Sequence, residues 1–140
     1  MADKAWKRVE REKCRALGGE RTGPRGFGLP DCVGLKVALE VKHYKRFVFL
    51  TKDWEQAVEN AARVGLPPVL VVKEGGRGGR DEVKMRLDDY LALMARAILN
   101  SAYIPLAGKQ AGTYARLSWP NFVRLYLAAY PSLCKEKIGI

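Results

Sequence analysis

A chain of 140 residues, 48% hydrophobic and 29% charged, has the balance of one folded domain and is too apolar to be disordered throughout. Lys and Arg number 25 against 15 Asp and Glu; the formal net charge of +10 and an isoelectric point near 9.7 favour a polyanionic partner, nucleic acid ahead of an anionic membrane. No apolar run approaches the ~18 residues that span a bilayer, and the charged N-terminus lacks an apolar secretory core, so the sequence predicts a cytoplasmic protein with no membrane partner.

Residues 3–17 predict an amphipathic helix: Trp6, Val9, Cys14 and Leu17 recur near helical spacing, with Asp3 placed to cap it and Gly18-Gly19 to end it. Gly23, Pro24, Gly26, Gly28 and Pro30 then punctuate a loop or irregular strand. Residues 36–42 alternate, with Val37, Leu39 and Val41 on one face and Lys36, Ala38, Glu40 and Lys42 on the other, and a second strand is expected at 46–50. Residues 53–64 read as a helix with Trp54, Ala57, Val58 and Ala61 on one stripe, Asp53 and Gln56 in the pattern of a capping box, and Gly65 as the terminal glycine. The β-branched run at 69–72 predicts a strand covered on both faces. A loop rich in Gly and Arg at 74–80 leads to a strand at 82–87 and a helix at 88–98, and a strand at 113–117 and a helix at 119–130 follow. The expected class is α/β, a central mixed sheet flanked by helices.

Cys14, Cys32 and Cys134 are odd in number and lack C-x-x-C spacing, so they read as reduced core thiols rather than a disulfide framework or a zinc site. Asn, Gln, Ser and Thr are scarce, a trait found in proteins from hot environments.

Candidate chemistry gathers around Asp31 and the strand after it. Glu40 and Lys42 lie two apart and project from one face; with Asp31 ending a neighbouring strand, three charged groups converge. Two carboxylates at one point repel unless a hard divalent cation such as Mg²⁺ joins them through oxygen. A lysine beside it can position the attacking water and offset charge on a phosphate. In helix 1, Glu10 falls within the stripe of Trp6, Cys14 and Leu17, whereas Glu12 points roughly 130° away, so Glu10 is the carboxylate expected to face inward. The plain alternatives are a solvated strand face with a weak ion pair for Glu40 and Lys42, and an arginine-paired carboxylate on the helix flank for Glu10. Lys4, Lys7, Arg8, Arg11, Lys13 and Arg15 crowd helix 1, Arg21 and Arg25 flank the glycine loop, and Lys45 and Arg46 follow Lys42, a distribution suited to phosphate contact irrespective of base sequence. His43 should face away from Lys42, and Gly108-Lys109-Gln110 lacks the rest of a P-loop.

Glu10-Arg11-Glu12 on a basic first helix, Pro30-Asp31, the strand Leu39-Glu40-Val41-Lys42-His43 and the later Pro67–Glu74 segment together resemble the PD-(D/E)xK nuclease superfamily, and within it the archaeal-type Holliday junction resolvases, including phage-borne relatives. The resemblance covers about residues 3–93. It implies a restriction-endonuclease-like core at 1–99, with 100–140 as an extension packed on the same domain. It also implies Asp31 and Glu40 as Mg²⁺ ligands, with Mn²⁺ as a substitute, Lys42 working with the attacking water, and Glu10 completing the metal site. Thr22 stands where many of these enzymes carry a DNA-contacting loop serine.

The resulting expectation is a Mg²⁺-dependent, structure-selective endonuclease that resolves four-way junctions by paired phosphodiester hydrolysis. Two scissile strands related by a two-fold axis imply a homodimer. The rival readings are a nuclease of the same superfamily with a flap, nicked or foreign duplex as target, and a non-catalytic DNA-binding module on the same fold.

Overall fold

The structure, a computed structural model, describes residues 5–23, 28–101 and 109–131. In these segments the order is α1 (Ala5–Ala16), β1 (Glu20–Arg21), β2 (Cys32–Val33), β3 (Ala38–Tyr44), α2 (Thr51–Val64), β4 (Pro68–Glu74), β5 (Asp81–Arg86), α3 (Leu87–Ser101), β6 (Lys109–Ala111), β7 (Tyr114–Ser118) and α4 (Trp119–Ala129). A five-stranded sheet runs β3-β4-β5-β7-β6, and β1 pairs with β2 in a small separate ladder. The β3–β4 pair is parallel and the other pairs are antiparallel, so the class is α/β with a mixed sheet flanked by helices, as the residue pattern predicts.

Period-two alternation decides which face each residue serves. Leu39, Val41, Val69, Val71, Val83, Met85, Ala115 and Leu117 join the larger core with Cys14 of α1 and Leu17 just after it, Tyr90 and Leu93 of α3, and Phe122, Leu125 and Tyr126 of α4. The opposite face carries Leu70 and Val72 under Trp54 and Ala57 of α2. β4 is the strand covered on both sides: Val69, Leu70, Val71 and Val72 are fully buried. Both β7 and α4 belong to this framework, and the Tyr126 hydroxyl accepts from the Lys36 amide at 2.9 Å, fastening α4 to the approach of β3.

Four expectations are corrected. Residues 46–50 form no strand: the Phe47 amide donates to the Glu74 carboxylate at 2.9 Å, and Phe47 and Phe49 pack edge-on at 5.1 Å, which draws the segment over the sheet instead of into it. α2 starts two residues early with no side-chain cap. Asp53, read as its cap, is buried and accepts from the Tyr44 hydroxyl. The C-terminal end is as expected, with Gly65 left-handed at φ 68°. A three-residue strand, β6, occupies the segment weighed only as a failed P-loop.

The fourth correction concerns cysteine. Cys14 and Cys32 are joined in a disulfide across 18 residues, their Cα atoms 5.5 Å apart. Between α1 and β1 the chain runs so close to β2 that a Cβ on Gly19 would stand 2.6 Å from the Val33 carbonyl oxygen; the return of β2 alongside the end of α1 brings the two sulfurs together and is invisible in residue spacing. Cys134, like the Asp3 cap, lies outside the described residues.

Candidate active site

Asp31 sits immediately before β2 and is held on three sides. Its amide donates to the Leu39 carbonyl at 2.9 Å, and its carbonyl accepts from the Thr22 amide at 2.8 Å. Its Oδ2 accepts from the Val41 amide at 2.7 Å. These bonds lock the loop to β3 at the point where Glu40 and Lys42 project toward α2. Glu40, 5% exposed, places Oε1 at 3.6 Å from Lys42 Nζ and accepts at Oε2 from Asn60 Nδ2 at 3.2 Å. Lys42 Nζ also donates to Gln56 Oε1 at 3.2 Å. Arg63 donates from Nη1 to Asn60 Oδ1 at 3.0 Å and to the Gly28 carbonyl at 2.7 Å, closing the rim between α2 and the loop. The result is a cleft of about 350 Å³ lined by Asp31, Glu40, Gln56, Glu59, Asn60 and Arg63, with Gly28 and Leu29 at its lip.

The cleft disfavours two bare negative charges. Burial pushes Asp31 up to about 8 from an ordinary 3.8, and the Glu40 carboxylate adds to it, against the Val41 hydrogen bond that favours the ionised form. Burial also raises Glu40, opposed by Lys42 and the Asn60 amide. Glu10 is close enough to push both upward. Such a pair has the chemistry of a hard-cation site: Mg²⁺ commonly binds through one or two carboxylates and completes its shell with water and phosphate oxygens.

Asp31, Glu40 and Lys42 are thus brought together. Glu10 faces inward and Glu12 is exposed, as helical periodicity requires. Glu10 Oε2 accepts from Arg21 Nε at 2.7 Å, and among the described residues no group of three or more His, Cys, Asp or Glu side chains is gathered to hold a metal ion. Of the three carboxylates that line the cleft, Asp31, Glu40 and Glu59, it is Glu40 whose charge acts on Asp31.

The basic positions divide. Arg8, Lys45 and Arg46 are exposed, and Lys7 and Arg11 are half-buried. Arg21, besides its bond to Glu10, lies 5.6 Å from the centre of the Trp6 ring. Thr22 turns its hydroxyl to donate to the Pro30 carbonyl at 2.6 Å, so its side chain braces the Asp31 loop. Lys13 is buried, paired with Asp81 and 4.3 Å from the Trp119 ring centre, and serves to anchor α1. Lys4 and Arg25 lie outside the described residues.

Gln56, Glu59, Asn60 and Arg63 escape a reading built on apolar stripes. Their spacing of i, i+3, i+4 and i+7 is a polar stripe on α2, but an ordinary solvated face has the same spacing, and only the fold separates the two.

No protein-family model and no curated protein matches the chain. Among solved structures it is similar to the Hjc Holliday junction resolvase of the archaeal hyperthermophile Archaeoglobus fulgidus, with a TM-score of 0.41 and 15% identity over 84% of each chain.

Proposed function

We propose that this chain is a divalent-cation-dependent endonuclease for branched DNA, with the four-way junction as its preferred substrate. The observation that carries the reading is the meeting of half-buried Asp31 and buried Glu40 in one cleft, with Lys42 beside Glu40, in a chain whose net charge is +10. Asp31 and Glu40 would hold Mg²⁺, which when bound supplies Lewis acidity toward a phosphodiester and its nucleophilic water; Mn²⁺ would serve in its place. Lys42 extends its ammonium between Glu40 and Gln56, where it can orient the incoming water and face the charge that develops on the phosphate. Asn60 keeps Glu40 from turning, and Arg63 keeps Asn60 in place while holding the loop before Asp31. Glu10 holds Arg21, and Arg21, Lys7, Arg8, Arg11, Lys45 and Arg46 contact the DNA backbone without reading bases. The resemblance of the sequence to junction resolvases directs the choice of substrate. Cutting both two-fold related strands of a junction calls for two such clefts, hence a homodimer.

A labelled four-way junction incubated beside a linear duplex of the same sequence, with Mg²⁺ or EDTA and with Glu40→Gln as control, tests the proposal. Paired symmetric cuts in the junction alone, lost in EDTA and in the variant, are expected. Tight binding without cutting would replace the reading with that of a DNA-binding module, and equal cutting of both substrates would keep the nuclease and discard the junction.

A further inference from the structure

The two faces of the sheet are covered unequally. Helices α1, α3 and α4 supply the core on one face, while on the other α2 packs chiefly on β3 and β4 and reaches β7 and β5 through Trp54, edge-on to Tyr114 at 5.4 Å. Beyond Trp54 no helix among the described residues covers the outer face of β5 and β7; Phe47 and Phe49 lie against Arg116 at its edge, and its charged side chains, Lys84, Arg86 and Arg116 against Glu82, leave it cationic. In the strand register Glu40 stands opposite Leu70, Leu70 opposite Lys84, Lys84 opposite Arg116, and Arg116 opposite Lys109. One row across the sheet therefore begins at the catalytic glutamate, passes beneath α2 and emerges as cation facing cation. At about 4.8 Å per strand, Lys84 and Arg116 lie about 10 and 14 Å from Glu40.

Like charges directly opposite in a ladder are destabilising, and on this face one carboxylate, Glu82, answers them. Lys84 is set against rings rather than acids, its ammonium 4.4 Å from the Tyr114 ring centre and 5.1 Å from that of Trp54; burial and Arg116 both push its pKa down. Arg116 lies 4.8 Å from the Phe49 ring centre and reaches Glu82 Oε1 at 3.2 Å, while Arg80 takes Oε2 at 2.6 Å, so two arginines share one carboxylate. Arg116 Nε is buried with no hydrogen-bond partner. Alongside runs a groove of about 430 Å³ lined by Trp54, Val58, Arg86, Asp88, Thr113 and Tyr114; Asp88 is its one acid.

From this we infer that the sheet face beyond α2, centred on Lys84 and Arg116, is a second DNA-docking surface that holds the phosphate backbone of another arm of the branched substrate. The inference rests on the DNA reading proposed above and adds the place where the rest of a branched molecule is held. The aromatic faces are occupied by cations, so the rings fix charges in position rather than stack bases, and recognition is of backbone. α2, some 10–12 Å across with its side chains, separates the two surfaces. A branched substrate can straddle it, one arm entering the cleft and another lying along the cationic row.

Binding of a labelled four-way junction by the full chain, in EDTA so that nothing is cut, tests this across a salt series. In K84Q/R116Q, which keeps the side-chain stems and removes two charges, the slope of log affinity against log salt should become shallower by about 1.8, at about 0.9 per phosphate contact, with at least tenfold weaker binding at low salt. K84R/R116K should keep the original slope, and thermal melts should show all three proteins folded. An unchanged slope in K84Q/R116Q overturns the inference, as does an equal loss in the charge-conserving variant, which would make the effect one of packing. Loss of poly-glutamate binding with DNA binding intact would assign the face to an acidic protein and also overturn it. Because no cleavage is read, a chain that cuts nothing yet shows the shallower slope would lose the nuclease reading and keep the surface, whereas a chain that cuts junctions with an unchanged slope would lose the surface alone.

Discussion

Without a divalent cation, Asp31→Asn should make the protein more stable at alkaline pH. Folding moves the Asp31 carboxyl from 3.8 up to about 8, first through burial and then through the Glu40 charge. The unfolded chain therefore releases this proton before the folded one does, and stability declines as pH climbs from about 4 to about 8, with no further loss above. At about 1.4 kcal/mol per pH unit the ceiling is about 6 kcal/mol, and sharing the penalty with Glu40 reduces the single-site effect to about 2–3 kcal/mol. For a domain of this size that corresponds to roughly 8 °C in Tm. Asparagine retains an oxygen for the Val41 amide, which Asp31 now meets at 2.7 Å, so the loop keeps its anchor. Calorimetric melts of both proteins from pH 4 to 9.5 in EDTA give the assay. Their Tm difference should open in favour of the variant through the window, and Mg²⁺ at about 100 times its Kd should restore about 2.7 kcal/mol to the parent and little to the variant. A variant that melts below the parent at pH 9 in EDTA would refute the argument.

Three further outcomes follow from the same geometry. Asn60→Ala, which leaves Glu40 Oε2 and Arg63 without their shared partner, should lower metal affinity or turnover about 10- to 100-fold with DNA binding in EDTA unchanged; a metal titration of cleavage rate checks it. Glu10→Gln should slow cleavage well beyond Glu12→Gln, because only Glu10 faces inward and holds Arg21; equal rates in the two variants would remove Glu10 from the site. Cys14→Ser, or a reductant on the parent, should cost about 3 kcal/mol for a loop of this length, seen as matching Tm drops, and the reductant should not shift the variant further.

The framework was legible where apolar periodicity was strong. Val37, Leu39 and Val41 announce a strand, Val69–Val72 a doubly covered one, and the helix 1 stripe separates Glu10 from Glu12. Asp31, Glu40 and Lys42 were legible as a charge cluster because residues two apart on a strand share a face. What escaped depends on partners distant in sequence. The segment 46–50 reads as strand until Glu74 takes the Phe47 amide. Asp53 reads as a cap until Tyr44 takes its carboxylate. The supporting polar stripe of α2 and the cation row of β5 and β7 acquire meaning only from strand order and register, which no local pattern encodes.

A two-residue ladder such as β1–β2 would fray on its own, yet the residue hung beside it is Asp31. Its bonds run to Thr22, Leu39 and Val41, and its neighbour Cys32 is bridged to Cys14, which is wholly buried in the last turn of α1. Many functional loops open by local unfolding far below the global stability; here opening would require α1 to leave the sheet. With the bridge intact, the amides of Asp31 and Val41 should exchange hydrogen only when the whole molecule unfolds. Whatever enters the cleft then meets a carboxylate whose position was settled during folding, and heat that would melt a free loop leaves the cleft assembled.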